Sequence, residues 1–188
     1  MPACSTPTDT RQTPPQPQAR PTRRQALRSA LTTVALAATG RAWALQPPRG
    51  KVVLTVRGLV AQVNAGDRAD FDMAMLEALP QHSYSTNTPW FKAARRFSGP
   101  LLRDVLAAAG ASGQTLRAVA LNDYKVEIPV ADTQRHKMLL ATRLDGAPMP
   151  LREKGPLFIV YPYDESADLR SERYYSRSAW QLRTLEVR

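Results

Sequence analysis

From residue 51 onward the apolar positions fall in short blocks, each closed by Gly, Pro, Asn or Asp. Lys51-Val-Val-Leu-Thr-Val56 is a β-branched run ending at Arg57-Gly58, which predicts a strand and a turn. Asp70 then reads as an N-cap, because Phe71, Ala74, Met75, Ala78 and Leu79 follow at helical spacing and Pro80 stops the run. Ser83 to Thr88 alternates small hydroxyls, as an edge strand does. Gly99-Pro100 reads as a second helix start, with Leu101, Leu102, Val105, Leu106 and Ala109 as its stripe and Gly110 as its cap. Beyond it the pattern is β-rich. Leu116–Leu121 and Lys125–Ile128 flank the turn Asn122-Asp123-Tyr124, Met138–Arg143 leads into Asp145-Gly146, and Leu157–Val160 is a continuous apolar strand. Trp180, Leu182, Leu185 and Val187 form a last strand whose alternation slips once, as a bulge would cause. The class expected is α+β, with a sheet-rich core.

The first 44 residues carry a different pattern. Residues 1–22 hold Pro, Thr and Gln with few large apolar side chains, a composition that cannot bury a core. Thr22-Arg23-Arg24-Gln25-Ala26-Leu27-Arg28 precedes the apolar run Ala30–Ala38, and Ala42-Trp43-Ala44 is a small-x-small cleavage pattern. Together these read as an export signal peptide cleaved near Ala44, twin-arginine-like in its Arg pair although Ala26 stands where such signals carry Phe. The expected organisation is a leader over 1–44 and one periplasmic domain over 45–188.

This division changes the charge. The chain has 26 Lys+Arg and 16 Asp+Glu, a net +10. Six of the basic residues and one acid, Asp9, lie in 1–44, so 45–188 carries 20 against 15 and a net +5. Half the basic excess belongs to the leader, which argues against a nucleic-acid partner. The single cysteine, Cys4, leaves with the leader, so the domain has neither disulfide nor thiol.

No Gly-rich phosphate loop, Gly-x-Ser-x-Gly elbow or metal-spaced His/Asp/Glu cluster is present. His82 and His136 stand in surroundings that suggest no triad, and His136, between Arg135 and Lys137, is expected to be exposed and inert. Aromatic and polar residues instead gather on loops: Thr88-Pro89-Trp90-Phe91, Asn122-Asp123-Tyr124, Tyr161-Pro162-Tyr163 and Tyr174-Tyr175-Ser176-Arg177-Ser178-Ala179-Trp180. Such a set suits a flat heterocycle, with rings for its faces and Asn, Asp and Ser for its ring nitrogens. Arg177 offers a fork of donors for an anionic group. Trp180 reads as a core residue of the last strand ahead of a ligand contact, Asp123 as turn chemistry ahead of a ligand role, and residues 164–173 as a solvated charged loop.

Several segments, in order, match a known family: Leu76-Glu-Ala-Leu-Pro-Gln81, Phe97-Ser-Gly-Pro-Leu-Leu102, Ala120-Leu-Asn-Asp-Tyr124 with Ile128-Pro129, Leu139-Leu-Ala-Thr-Arg143, Asp145-Gly-Ala-Pro-Met149, Lys154-Gly-Pro-Leu157 and Ser176-Arg-Ser-Ala-Trp180. Over nearly all of 50–188 the chain resembles the oxidoreductase molybdopterin-binding domain. The resemblance implies the sulfite-oxidase-type fold, a β-rich, mixed-sheet, barrel-like α+β core with two or three helices.

Enzymes of that family hold molybdenum through a pterin dithiolene and one protein cysteine, carried on the loop after the strand that follows the Leu-Pro segment. Here that stretch reads Ser83-Tyr-Ser-Thr-Asn-Thr-Pro-Trp90, and no Thr or Asn replaces a thiolate as a soft ligand. Similar small periplasmic proteins are pterin-binding regulators that work with a membrane-bound cyclic-di-GMP signalling enzyme. The resemblance therefore implies a pterin or molybdopterin ligand without molybdenum. It places that ligand among Thr88, Trp90, Asn122, Asp123, Tyr124, Tyr175, Ser176, Arg177, Ser178 and Trp180. The function expected is a non-redox sensor or accessory protein with no catalytic or metal-binding residues, partnered by a membrane signalling protein. The alternative is a molybdopterin-dependent oxidoreductase transferring oxygen atoms with non-cysteine ligation, partnered by a membrane redox subunit.

Overall fold

In the computed structural model, which describes residues 45–188, the predicted first strand forms as β1 (Val52–Gly58). It runs parallel to the last strand of the chain, Leu182–Val187, with Val56 opposite Leu185. Around this pair a five-stranded mixed sheet assembles. Arg68–Asp72 (β2) lies antiparallel to β1, while Thr115–Ala120 (β5) and Lys125–Pro129 (β6) follow on the other side of the last strand. Side chains alternate across it as strand geometry requires. Leu54, Val56, Leu116, Ala118 and Leu185 are buried, whereas Arg57, Lys125 and Arg183 are exposed. The slip foreseen in the last strand is a register shift between Leu182 and Thr184.

Two smaller sheets complete the core. Gln81–Thr86 (β3), Arg95–Pro100 (β4), Arg143–Leu144 (β8) and Ala147–Pro148 (β9) form a four-stranded sheet in that order. Leu139–Ala141 (β7) pairs antiparallel with Phe158–Val160 (β10), and Leu182–Val187 is β11. The α+β class holds, but the described residues form three separate sheets and no closed barrel.

They also hold four short helices where two or three were expected: α1 (Met73–Glu77), α2 (Leu102–Ala108), α3 (Val130–Arg135) and α4 (Glu172–Ser176). Both anticipated helices start later than predicted. The first is capped by Asp72, whose Oδ1 accepts from the Met75 amide at 2.8 Å. Asp70 and Phe71 are still strand, because β2 pairs with β1 as far as Asp72 opposite Val52. The N–H groups of Met75, Gly50 and Arg49 hold the Asp72 carboxyl below its usual range. Gly99-Pro100 likewise closes β4 instead of opening α2. A Cβ at Gly99 would lie 2.2 Å from the Leu140 carbonyl oxygen, so the glycine serves a close strand approach. The 164–173 segment is not a simple solvated loop: it contains 3-10 turns at Tyr163–Glu165 and Ala167–Leu169, buries Leu169 and opens α4.

The predicted leader over 1–44 lies outside the described residues.

Beneath α4 the core becomes polar. Tyr161 and Tyr163 are both fully buried. The Tyr161 hydroxyl donates to Asp132 Oδ2 at 2.9 Å, and Arg177 Nη1 donates to the same oxygen at 2.7 Å. His136 is half-buried against Tyr161 and Tyr174, with centroids at 6.1 and 5.7 Å, so it is packing rather than an exposed residue. Burial pushes the hydroxyls of Tyr161, Tyr163 and Tyr84 above the ordinary tyrosine range, and Asp132 adds to the effect at Tyr161.

Because these three tyrosines keep their protons in the folded state, their contribution to stability should be constant below about pH 10, where unfolded tyrosine begins to ionise, and fall above it. Each should contribute a slope of about 1.4 kcal/mol per pH unit there. Denaturant titrations of Tyr161→Phe and Tyr163→Phe beside the wild type, between neutrality and pH 11, check this; unchanged slopes would contradict it. Arg177→Ala should cost about 3–5 kcal/mol, since it leaves the Asp132 carboxylate buried without its cation. Thermal and denaturant melts measure that loss.

Candidate functional site

The β3–β4 loop, the β5–β6 turn and the segment from α4 to β11 converge on one open cleft of about 290 Å³. It is lined by Pro89, Trp90, Tyr124, Glu172, Tyr175, Ser176, Ser178 and Trp180. Pro89 fixes the backbone early in the β3–β4 loop and hands Trp90 to the aromatic layer beneath. The Trp90 indole meets Trp180, Phe158, Tyr175 and Tyr163 edge-on, with centroids 5.4 to 6.2 Å apart. That is the favoured geometry for aromatic pairs, in which the positive edge of one ring meets the negative face of the next. Tyr175 and Ser176 reach the cleft because they follow Glu172 by three and four residues, which puts all three on one side of α4.

One hydrogen bond spans the mouth: the Tyr124 hydroxyl donates to the Ser176 carbonyl oxygen at 2.9 Å. It ties the β5–β6 turn to the end of α4. Ser178 is buried and its hydroxyl is committed internally, donating to the Tyr174 carbonyl at 3.0 Å and meeting the Tyr163 hydroxyl. The Ser176 hydroxyl donates to the Arg173 carbonyl at 3.1 Å. Thr88, one residue before Pro89, is buried, and its Oγ1 has no hydrogen-bond partner among the described residues. An unpaired hydroxyl at that depth costs free energy comparable to a lost hydrogen bond.

Six of the ten residues expected at the site therefore line the cleft: Trp90, Tyr124, Tyr175, Ser176, Ser178 and Trp180. Trp180 is half-buried and precedes β11, so it is shared between core and cleft. Thr88 lies beside them in sequence. The other three do different work. Asn122 Oδ1 accepts from the Tyr124 amide at 3.2 Å, which is local turn chemistry. Asp123 takes a left-handed backbone with φ of 61° and faces Arg183 at 3.4 Å, on the outer side of the sheet. Arg177 does not stand free for an anion: it caps the end of α4, and its guanidinium is held inward by Asp132.

Residue patterns alone missed Glu172 and Lys154. Glu172 is an exposed carboxylate at the cleft rim, and placing a helix over 172–176 would have found it from its spacing to Tyr175 and Ser176. Lys154 has a left-handed backbone that follows a 3-10 turn, and its carbonyl accepts from the Gln181 amide at 3.0 Å. Its ammonium lies 3.9 Å from the Trp180 ring centroid and 5.4 Å from that of Trp90. This is a cation–π contact, and burial against the rings holds the lysine below its ordinary pKa. No sequence signal pairs Lys154 with Trp180, because the contact depends on how the 149–157 segment folds back.

No curated protein matches the chain. A family model described as the oxidoreductase molybdopterin binding domain matches residues 44–167, which take in the Trp90 wall and Tyr124 and stop short of Glu172–Trp180. With that match covering well over half of the sequence, the chain belongs to the oxidoreductase molybdopterin-binding domain family.

Proposed function

We propose that the chain is an exported, periplasmic pterin-binding protein that works without redox turnover, as a sensor or accessory subunit. The observation that carries this reading is a cleft walled by Trp90, Trp180 and Tyr175 beside the carboxylate of Glu172, in a domain with no thiol. A pterin is a flat bicycle whose 2-amino-4-oxo edge presents two adjacent N–H donors. Indole and phenol rings suit its faces, and a carboxylate suits that edge, because charge-assisted bidentate bonds are among the strongest available. The cleft volume of about 290 Å³ sits at the low end of small-molecule sites, roughly 300–1,000 Å³, which suits a compact ring system. The Thr88 hydroxyl supplies one further unpaired polar group next to this wall.

The same residues do not fit a molybdenum centre of the family's usual kind. Bound molybdenum would supply oxygen-atom transfer, and the soft dithiolene site is completed by a protein thiolate. The chain's lone cysteine is Cys4, and the described residues hold no group of three or more His, Cys, Asp or Glu able to take a metal. The pterin is therefore read as a ligand that is recognised, not as the carrier of a metal.

Acid extraction of protein purified after export should release a fluorescent pterin in stoichiometric amount, with molybdenum far below stoichiometric by elemental analysis. Stoichiometric molybdenum together with oxygen-atom transfer from an artificial donor would overturn the reading and favour an oxidoreductase. Glu172→Gln should weaken pterin affinity by about 1.5–3 kcal/mol, roughly 10- to 100-fold, with an unchanged melting temperature because the residue is exposed. Calorimetric titration of the variant provides the check, and an unaltered affinity would remove Glu172 from the site.

A further inference from the structure

A second concavity lies on the side of the five-stranded sheet that faces away from the core. This recess, also about 290 Å³, is bounded by Arg57, Arg117, Lys125 and Arg183 together with Asp123 and Glu186. Val119 and Thr184 complete its lining. Its residues come from β1, β11, β5 and β6 and the turn between the last two, four adjacent strands that span about 15 Å at the usual spacing.

The four cations outnumber the two carboxylates, and the carboxylates are already engaged. Asp123 faces Arg183 at 3.4 Å, and Glu186 Oε2 accepts from Arg188 at 3.0 Å. Among the described residues Arg57 and Lys125 make no ion pair, and both are exposed. Across the strands Arg57, Glu186, Arg117 and Glu127 stand in register as alternating charges, with Arg117 3.4 Å from Glu127, so part of the charge is met within the sheet while the recess lining keeps more cations than carboxylates. The excess that stays open to counter-charges from outside lies at Arg57 and Lys125.

We propose that this face docks an acidic segment of a partner protein, independently of whether a pterin occupies the cleft. Guanidinium forks take carboxylates in bidentate fashion, and a protruding segment can enter a recess with carboxylates aimed at Arg57, Arg183 and Lys125. A flat anionic bilayer fits less well, since it cannot follow the concavity and would press phosphates against Asp123 and Glu186. The placement also makes functional sense: Asp123 rims the recess while its neighbour Tyr124 walls the cleft, so a docked segment sits beside the turn that borders the ligand.

The test uses the exported protein and a short fluorescein-labelled peptide of alternating Glu and Ser, read by anisotropy at low and physiological salt. Arg57→Glu/Arg183→Glu should lower peptide affinity roughly tenfold or more, and Arg57→Gln/Arg183→Gln should fall between it and the wild type. Arg103→Glu/Arg170→Glu, which makes the same change in net charge outside the recess, should stay within about twofold. Equal losses in both reversed variants, or no binding by the wild type at low salt, would overturn the proposal. Recess-dependent binding to phosphatidylglycerol vesicles that exceeds binding to the peptide would also overturn it, by assigning the face to a membrane. Pterin titrations of the recess variants should match the wild type, and failure of the wild type to bind pterin would affect only the reading of the cleft.

Discussion

The Asp132 carboxylate lies in the core on α3, just after β6, and a single oxygen, Oδ2, receives both the Tyr161 hydroxyl and the Arg177 guanidinium. Arg177 is the residue that ends α4, so this contact fixes where the helix stops. On one side of that point lie Glu172, Tyr175 and Ser176; on the other lie Ser178 and Trp180. One wall of the cleft thus hangs from a buried ion pair. Such pairs contribute little net stability against an apolar alternative, yet they are costly to break one partner at a time. Its value here is positional: it holds a five-residue helix, too short to persist on its own, at a fixed angle to the aromatic layer.

That layer supplies the rigidity the wall needs on its other side. Trp90 packs edge-on against four rings, and Lys154 presses its ammonium onto Trp180 from outside the cleft lining. Tethering the Lys154 carbonyl to the Gln181 amide keeps that cation in register with the indole. A flat ligand entering the cleft would meet rings that are already ordered, so the entropic cost of arranging them is met in folding rather than in binding.

Much of this was legible in the sequence, and the failures share a cause. The strand pairs around Asn122–Tyr124 and Asp145-Gly146 and the slip in β11 followed from local turn chemistry and alternation. The wrong helix starts at Asp70 and Gly99 arose because strand pairing to β1 and the close approach to β7 overrode cap signals that were locally sound. α3 and α4 have no apolar stripe to announce them, being five or six residues of mostly polar side chains held by tertiary contacts. At the site, aromatic residues on loops identified the cleft, because rings exposed by local pattern need a reason. The role of Arg177 was misread for the complementary reason. A guanidinium beside two serines resembles an anion site until a carboxylate forty-five positions away in sequence is brought to it.

The distribution of charge separates two kinds of surface on one small domain. Among the described residues Glu172 is the only acidic or basic side chain lining the cleft, and the contacts offered there are ring faces and short polar bonds. Binding there should depend on shape and burial and vary little with ionic strength. The outer sheet face gathers four of the cations that give residues 45–188 their positive excess, three of them at exposed positions, where attraction acts over about a Debye length and fades with salt. The β5–β6 turn stands between these regimes, with Tyr124 in one and Asp123 in the other. Asp123 holds a left-handed backbone there, and Tyr124 is anchored through its hydroxyl to α4. A displacement of Tyr124 by a ligand would have to break that anchor or pass into the turn, because the ring has no other hydrogen-bonded support among the described residues. The turn therefore joins the two faces through adjacent residues.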